Sequence, residues 1–164
     1  MNNILDAADH IIRGYHEIAG ERLHPLKLHY LLYCLQRESL AVLGEPAFEG
    51  DFEAGDCGPV SPEVMANSKD CKLIASVRPL TRRLREIAAN VILDYGALAP
   101  WKLRNMLCKE FSWRNARNGL GPEEDRCVMQ LSDIRKDARR IREYDLFANA
   151  HGCGLGDPDE EDGL

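Results

Sequence analysis

Apolar residues recur in the first part of the chain at the three- and four-residue spacing that one face of an α-helix requires. This spacing predicts a helix over residues 4–19 that ends at Gly20. A second helix is predicted from Pro25, a residue suited to the first helical turn, to Leu43. Since this second segment is apolar around most of its circumference, we expect it to lie at the centre of the fold.

Glycines and prolines interrupt the helical pattern between residues 45 and 60. Short apolar stretches in this segment predict two short strands, so we expect a small β-hairpin or an ordered loop near residues 45–60. Ser61, Pro62 and Glu63 then supply a capping hydroxyl, a first-turn proline and a carboxylate at the positive end of a helix dipole. These three residues predict a short helix, and the segment 68–76 that follows is ambiguous.

Helical spacing returns at residue 79 and predicts a helix that ends at Gly96, after which Pro100 opens a shorter one. The side chains expected to be buried on this shorter helix are Trp101, Leu103, Met106 and Leu107. Residues 114–121 are polar and contain glycine, as a loop would, and a last long helix is predicted from Pro122 onward. The pattern therefore predicts a mainly α fold of five or six helices around a central apolar helix.

The length and composition of the chain are those of one compact domain, since its 164 residues are 45% hydrophobic and 29% charged. Residues 149–164 differ from the rest, because they hold four glycines, one proline and five acidic residues. A segment of this composition buries too little apolar surface to fold, which predicts disorder. We therefore assign residues 1–148 to a single helical domain and residues 149–164 to an acidic, disordered tail.

The charge of the chain restricts its partners and its compartment. There are 21 Lys and Arg against 27 Asp and Glu, a net charge of -6, and five of the acids lie in the tail. A near-neutral body with an acidic tail lacks the positive potential of a phosphate-binding surface, which disfavours nucleic acid as a partner. No apolar run is long enough to span a membrane, and the N-terminus has no signal-peptide pattern. The six cysteines form no Cys-x-x-Cys pair, so we expect reduced thiols and a cytoplasmic location.

Motifs that carry enzymatic chemistry do not occur in the sequence. The four histidines between residues 10 and 29 lack the i, i+4 spacing of a helical metal site, and the common nucleophile, nucleotide and metalloprotease signatures are missing. A glycine-rich stretch at 152–156 is followed by acids that would repel phosphate. An enzyme would have to use Asp56 and Cys57 beside the turn at 58–59, where no activating base is identifiable. We therefore expect a non-enzymatic protein that uses neither a metal nor a cofactor.

Residues 113–118 combine a tryptophan with two arginines in a predicted loop, a composition that is enriched at protein interfaces. The alternative is that Trp113 packs into the core and that both arginines are solvated. The last helix has a basic side whose interleaved acids favour a solvated, self-paired face, and docking of an acidic protein surface is the alternative there. The candidate partner-binding residues are Trp113, Arg114, Arg117, Asp56 and Arg139.

Six segments of the chain form an ordered succession of motifs. They are LKLHYLLYCLQ at 26–36, GEPAF at 44–48, DFEA at 51–54, GPVSPEV at 58–64, YGALAPWKL at 95–103 and FSWRNAR at 111–117. This succession resembles the Panacea antitoxin domain family, which includes SocA-like antitoxins and phage-associated GepA-like proteins, over about residues 4–145. The resemblance implies a mostly helical, non-enzymatic protein that neutralises a cognate protein toxin by direct binding and is often encoded beside it in bacterial or prophage DNA.

Two other classes of binding protein are alternatives. A proteolytic adaptor would use the acidic tail or the basic helix to deliver its partner to a cytoplasmic protease, which a SocA-like protein can also do. A DNA-binding regulator would need a helix-turn-helix with a clearly basic recognition helix, and none stands out in the sequence.

Overall fold

A computed structural model describes residues 1–69, 72–73, 77–121 and 123–150. The helices in these residues are α1 (Ile4–Ala19), α2 (Pro25–Val42), α3 (Pro62–Asn67), α4 (Arg82–Tyr95), α5 (Pro100–Leu107), α6 (Phe111–Asn118) and α7 (Leu131–Ala150). The strands form two antiparallel pairs, β1 (Glu53–Gly55) with β2 (Gly58–Val60) and β3 (Ser68–Lys69) with β4 (Lys72–Leu73). The predicted mainly α architecture with a small hairpin is confirmed, and the described residues hold one helix more than the largest number expected.

Helix α2 is the central element, as its apolar circumference predicts. Helices α1, α4, α5 and α7 all pack against it, and 13 of its 18 residues are buried. Pro25 occupies its first turn, where the Nδ1 atom of His24 accepts a hydrogen bond from the Leu26 amide at 3.1 Å. Burial of one leucine side chain contributes about 1.5–3 kcal/mol, so the buried run at 28–35 is a large source of stability.

The loop predicted at 114–121 is wrong, because residues Phe111–Asn118 form helix α6. The cap that permits this helix comes from α7. The two carboxylate oxygens of Asp137 accept hydrogen bonds from the backbone amides of Phe111 and Ser112, each at 2.9 Å. A carboxylate in this position satisfies amides that have no partner within the helix and complements the positive end of the helix dipole. Since Asp137 lies 25 residues beyond Ser112, a local pattern does not reveal the cap.

The start predicted for the last helix is also wrong, since α7 begins at Leu131 rather than at residue 122. Residues 127–129 instead pair with residues 52–54. The Ala54 amide donates to the Cys127 carbonyl at 2.8 Å, and the Met129 amide donates to the Phe52 carbonyl at 2.8 Å. Pairing with a strand occupies the backbone groups that a helix would need. The predicted tail, 149–164, lies outside the described residues apart from its first two positions, which belong to α7.

A buried polar cluster joins α2, α4, α6 and α7 at the middle of the fold. We call Tyr33, Arg37, Tyr95, Glu110 and Asp137 the Arg37 cluster. The guanidinium of Arg37 donates to Glu110 at 2.7 Å and to the Tyr95 hydroxyl at 3.0 Å, while the Tyr33 hydroxyl donates to Asp137 at 3.2 Å. Arg37 is only 3% exposed, so its guanidinium makes these hydrogen bonds in place of hydrogen bonds to water. The cluster therefore fixes the position of α6 relative to the central helix.

Candidate functional site

The turn of the β1–β2 hairpin is the part of the fold on which most of the predicted binding residues converge. Gly55 and Gly58 face each other across the turn, and Gly58 has a φ of 106°, which side-chain-bearing residues rarely adopt. The hydroxyl of Tyr30, on α2, donates a hydrogen bond to the Cys57 carbonyl. The turn is thereby attached to the central helix.

Replacing Gly58 with alanine is expected to lower the free energy of unfolding by about 2 kcal/mol, because the new side chain adds a contact to an already strained backbone. A Cβ at this position would lie 3.0 Å from the Cε1 atom of Tyr30. Gly44→Ala is the matched control, since Gly44 also has a positive φ, of 73°, but no atom within 4 Å of such a Cβ. We expect the control to cost about 1 kcal/mol in urea denaturation, from the backbone alone. Equal costs at both positions would contradict this account of the turn.

Helix α6 reaches the hairpin turn with two side chains. The Trp113 indole N–H donates to the Gly55 carbonyl at 3.0 Å. The Arg117 guanidinium donates to the Ala54 carbonyl at 3.0 Å and forms an ion pair with Asp56 at 3.0 Å. Arg117 also lies over the Trp113 ring, 5.6 Å from its centroid. These bonds hold the turn and the outer side of α6 as one rigid surface.

Helix α5 approaches the same turn from the other side. The Arg104 guanidinium contacts the Asp56 carbonyl at 3.5 Å. We call Asp56, Arg104, Trp113 and Arg117 the tip cluster. Cys57, between the two approaching helices, is exposed with a free thiol.

The structure brings together three of the five candidate binding residues, namely Asp56, Trp113 and Arg117. Arg114 is exposed on the same helix, and its side chain has no hydrogen bond or ion pair among the described residues. Arg139 is exposed on α7, and no described contact of its side chain connects it to the tip cluster. Trp113 is half-buried: it packs against the core, as one of the two interpretations expects, and its indole N–H also bonds to the turn.

The expected burial of Trp101 and Met106 is wrong, since these side chains are 61% and 42% exposed. Helix α5 has only eight residues, and it buries the pair Leu103 and Leu107, which are four positions apart. At 100° per residue, this pair leaves Trp101 and Arg104 together on one flank of the helix. The spacing of Leu103 and Leu107 was therefore the signal in the sequence that would have placed Trp101 at the surface.

The surface of α5 and α6 carries a concentration of positive charge. Its basic residues are Lys102, Arg104, Lys109, Arg114 and Arg117. The one acidic residue between 100 and 118 is Glu110, whose side chain is 18% exposed and pairs with Arg37 inside the fold. A shallow depression of about 480 Å³ lies along α6 beside Trp113 and Arg114. We call the exposed surface of α5 and α6, which includes Trp101, Arg104 and Arg114, the α5–α6 face.

Burial governs the chemistry of the one histidine on α2. His29, on α2, accepts a hydrogen bond at its Nδ1 atom from the Ser61 amide at 3.0 Å. Burial lowers the pKa of His29 to about 4, so the imidazole is neutral at physiological pH. In the described part of the chain, no group of three or more His, Cys, Asp or Glu side chains has an arrangement that could hold a metal ion.

Comparison of the chain with family models, with curated proteins and with solved structures finds no match. Among the described residues, no helix combines the length and the apolar character that crossing a bilayer requires.

Proposed function

We propose that this protein is a Panacea-like antitoxin that neutralises a cognate protein toxin by direct binding through the α5–α6 face. The observation that carries the proposal is that five of the six segments resembling the Panacea family contribute to the β1–β2 hairpin or to the helices that contact it. Segments 51–54 and 58–64 contain most of its two strands, segment 95–103 contains the first half of α5, and segment 111–117 contains nearly all of α6. Segment 26–36 contains Tyr30 of α2, whose hydroxyl donates a hydrogen bond to the Cys57 carbonyl in the turn. Motifs distant in sequence thus build one surface.

The composition and rigidity of that surface support a role in protein binding. Tryptophan and arginine are the residue types most enriched among those that dominate binding energy at interfaces. Trp101 is 61% exposed, and Arg117 is already fixed by its bonds to Ala54 and Asp56. Side chains that are ordered before binding lose less conformational entropy when a partner arrives. The α5–α6 face therefore offers an anchor and fixed polar groups at low entropic cost.

The size of the protein is sufficient for neutralisation by occlusion. A standard interface covers about 800 Å² on each partner, whereas the chain has an accessible surface of 10013 Å². Neutralisation of this kind needs only that the bound protein cover the active surface of the toxin.

The test is co-expression of this protein with the product of the adjacent gene, followed by growth assays and co-purification. We expect growth rescue and a stable complex. Trp101→Ala combined with Arg114→Ala is expected to weaken the complex at least about tenfold without moving the unfolding curve, because both side chains are exposed and neither has a hydrogen bond or ion pair among the described residues. The matched control is Leu93→Ala with Arg82→Ala, an equally exposed pair on α4.

Each outcome of this experiment has a defined meaning. Failure of the wild-type protein to rescue growth or to form a complex would refute the antitoxin function. Rescue accompanied by protease-dependent loss of the partner would favour a proteolytic adaptor instead. Equal weakening by the test pair and the control pair would refute the assignment of the α5–α6 face as the binding surface.

A further inference from the structure

We propose that the α5–α6 face binds an acidic peptide segment of its protein partner, with an apolar side chain of that segment stacked on Trp101. The inference rests on the proposed function for the existence of a partner, whereas the chemistry of the segment follows from the face. The carboxylates of the segment pair with the guanidinium groups of Arg104 on α5 and Arg114 on α6.

The distribution of charge along the chain supports an acidic ligand. Residues 100–118 contain five of the 21 Lys and Arg but one of the 27 Asp and Glu, in a chain whose net charge is -6. The basic side chains on this face that have no ion pair among the described residues are Lys102, Arg104, Lys109 and Arg114. Because these four cations have no carboxylate partner among the described residues, they give the face a positive potential. That potential attracts and orients a negatively charged segment.

The position of Trp101 determines where the apolar part of the segment lies. Trp101 and Arg104 are three residues apart on α5 and therefore share one flank of the helix. Arg104 reaches the Asp56 carbonyl, so this flank continues into the hairpin turn. The Lys102 ammonium lies over the Trp101 ring, 5.6 Å from its centroid, which leaves the rest of the exposed ring available to a partner. A peptide with an apolar residue between acidic residues matches this arrangement, because the apolar side chain can contact Trp101 while the carboxylates reach the neighbouring basic groups.

The same observations favour a protein segment over a nucleic acid. A continuous polyanion needs an extended basic surface, and a chain with a net charge of -6 has basic residues concentrated only locally, as on this face. The Asp56 side chain is 80% exposed in the middle of the face, where it neutralises Arg117 and would oppose a phosphate backbone. A peptide places its carboxylates at intervals and can donate backbone amides to Asp56 between them.

The test is selection of a random library of peptides, about 12 residues long, displayed on phage, against the full-length protein. We expect the selected peptides to be enriched in Asp and Glu around one aromatic or aliphatic residue. Trp101→Ala combined with Arg104→Gln is expected to weaken a selected peptide at least about tenfold, whereas Leu93→Ala combined with Arg82→Gln on α4 leaves its affinity unchanged. Affinity is also expected to fall as ionic strength rises from about 0.05 to about 0.5 M, since exposed ion pairs are screened.

Several results would overturn the inference. These are selection of neutral or basic peptides, selection of none, equal binding by the test and control variants, or tighter binding of a single-stranded oligothymidine than of the selected peptides. If Trp101→Ala with Arg104→Gln shifts the unfolding curve, Arg114→Glu replaces it as the test variant. Peptide selection needs no toxin, so its failure is distinguishable from failure of growth rescue. Failure of growth rescue refutes the antitoxin function but does not affect the inference that the face binds an acidic segment.

Discussion

Replacing Arg37 with leucine is expected to lower the free energy of unfolding by about 3–5 kcal/mol at about pH 8, where Glu110 is ionised, because it removes the cation of a buried ion pair. Arg37 is 3% exposed and lies 2.7 Å from Glu110, with Glu38 at 3.6 Å. Its ring contacts with Tyr33 and Tyr95, at 5.9 and 5.7 Å, would be lost as well. Without the guanidinium, the carboxylate of Glu110 would have no buried counter-charge.

The measurement is urea denaturation, with Arg82→Leu as the control. Arg82 also forms an ion pair, with Glu86 at 3.3 Å, but its side chain is 85% exposed. An exposed pair contributes about 0–1 kcal/mol, so the control isolates the effect of burial. A loss below about 1 kcal/mol at Arg37 would contradict the account. In the described residues, the Nε atom of Arg37 is the one buried side-chain nitrogen or oxygen without a hydrogen-bond partner. The wild-type guanidinium therefore already leaves one donor unpaired.

As the pH rises from about 4.5 to about 7, the protein is expected to lose about 3 kcal/mol of stability through Glu110. Burial raises the pKa of Glu110 to about 7; Arg37 opposes this shift and the carboxylate of Asp137 adds to it. The Glu110 side chain is only 18% exposed, so solvent screening reduces the effect little. Burial sets the direction of the shift, and the guanidinium that opposes it is shared between Glu110 and Glu38.

The sign of the pH effect follows from where the proton is held. In the unfolded chain Glu110 loses its proton near pH 4.5, whereas the folded protein keeps that proton up to about pH 7. Between these values the folded state binds more protons than the unfolded state, and each rise in pH therefore favours unfolding. The stabilising contribution is fully present below pH 4.5 and is lost by the time the pH passes about 7.

Glu110→Gln is expected to abolish this pH dependence. A glutamine can accept from Arg37 with its oxygen and donate to Asp137 with its nitrogen, as the protonated glutamic acid does. The variant should therefore match the wild type at pH 5 and exceed its stability by about 2–3 kcal/mol at pH 8. Urea denaturation at both pH values is the measurement, with the exposed Glu86→Gln as control. A variant that is less stable than the wild type at pH 8 would show that the ionised pair with Arg37 dominates instead.

Elements with strong local signals were predictable from the sequence. The start of α2 at Pro25, the end of α1 at Gly20 and the start of α3 at Pro62 all occur where the pattern placed them. In each case the determinant is local. Gly20 takes the left-handed conformation at a helix end, and the Ser61 hydroxyl accepts a hydrogen bond from the Val64 amide three residues later.

The candidate site was only partly predictable, because its determinants are distant in sequence. Asp56, Trp113 and Arg117 were identified by composition, but their contacts with one another depend on the packing of α6 against the hairpin. Helix α6 itself depends on a cap from Asp137, and composition gives no indication of such a cap. The exposure of Trp101 is not predicted for a different reason, because apolar character alone favours burial of a side chain on a short helix.

The cap from Asp137 also makes α6 part of a cooperative unit. With eight residues, α6 is too short to persist alone in water, and most of its described hydrogen bonds to other elements run to α7 and to the β1–β2 hairpin. The hairpin turn, α6 and the start of α7 should therefore open together, and their amide protons should exchange with solvent at one common rate. A partner bound at the surface would slow exchange at the buried Ser112 amide, because that amide cannot be released without dismantling the surface the partner occupies.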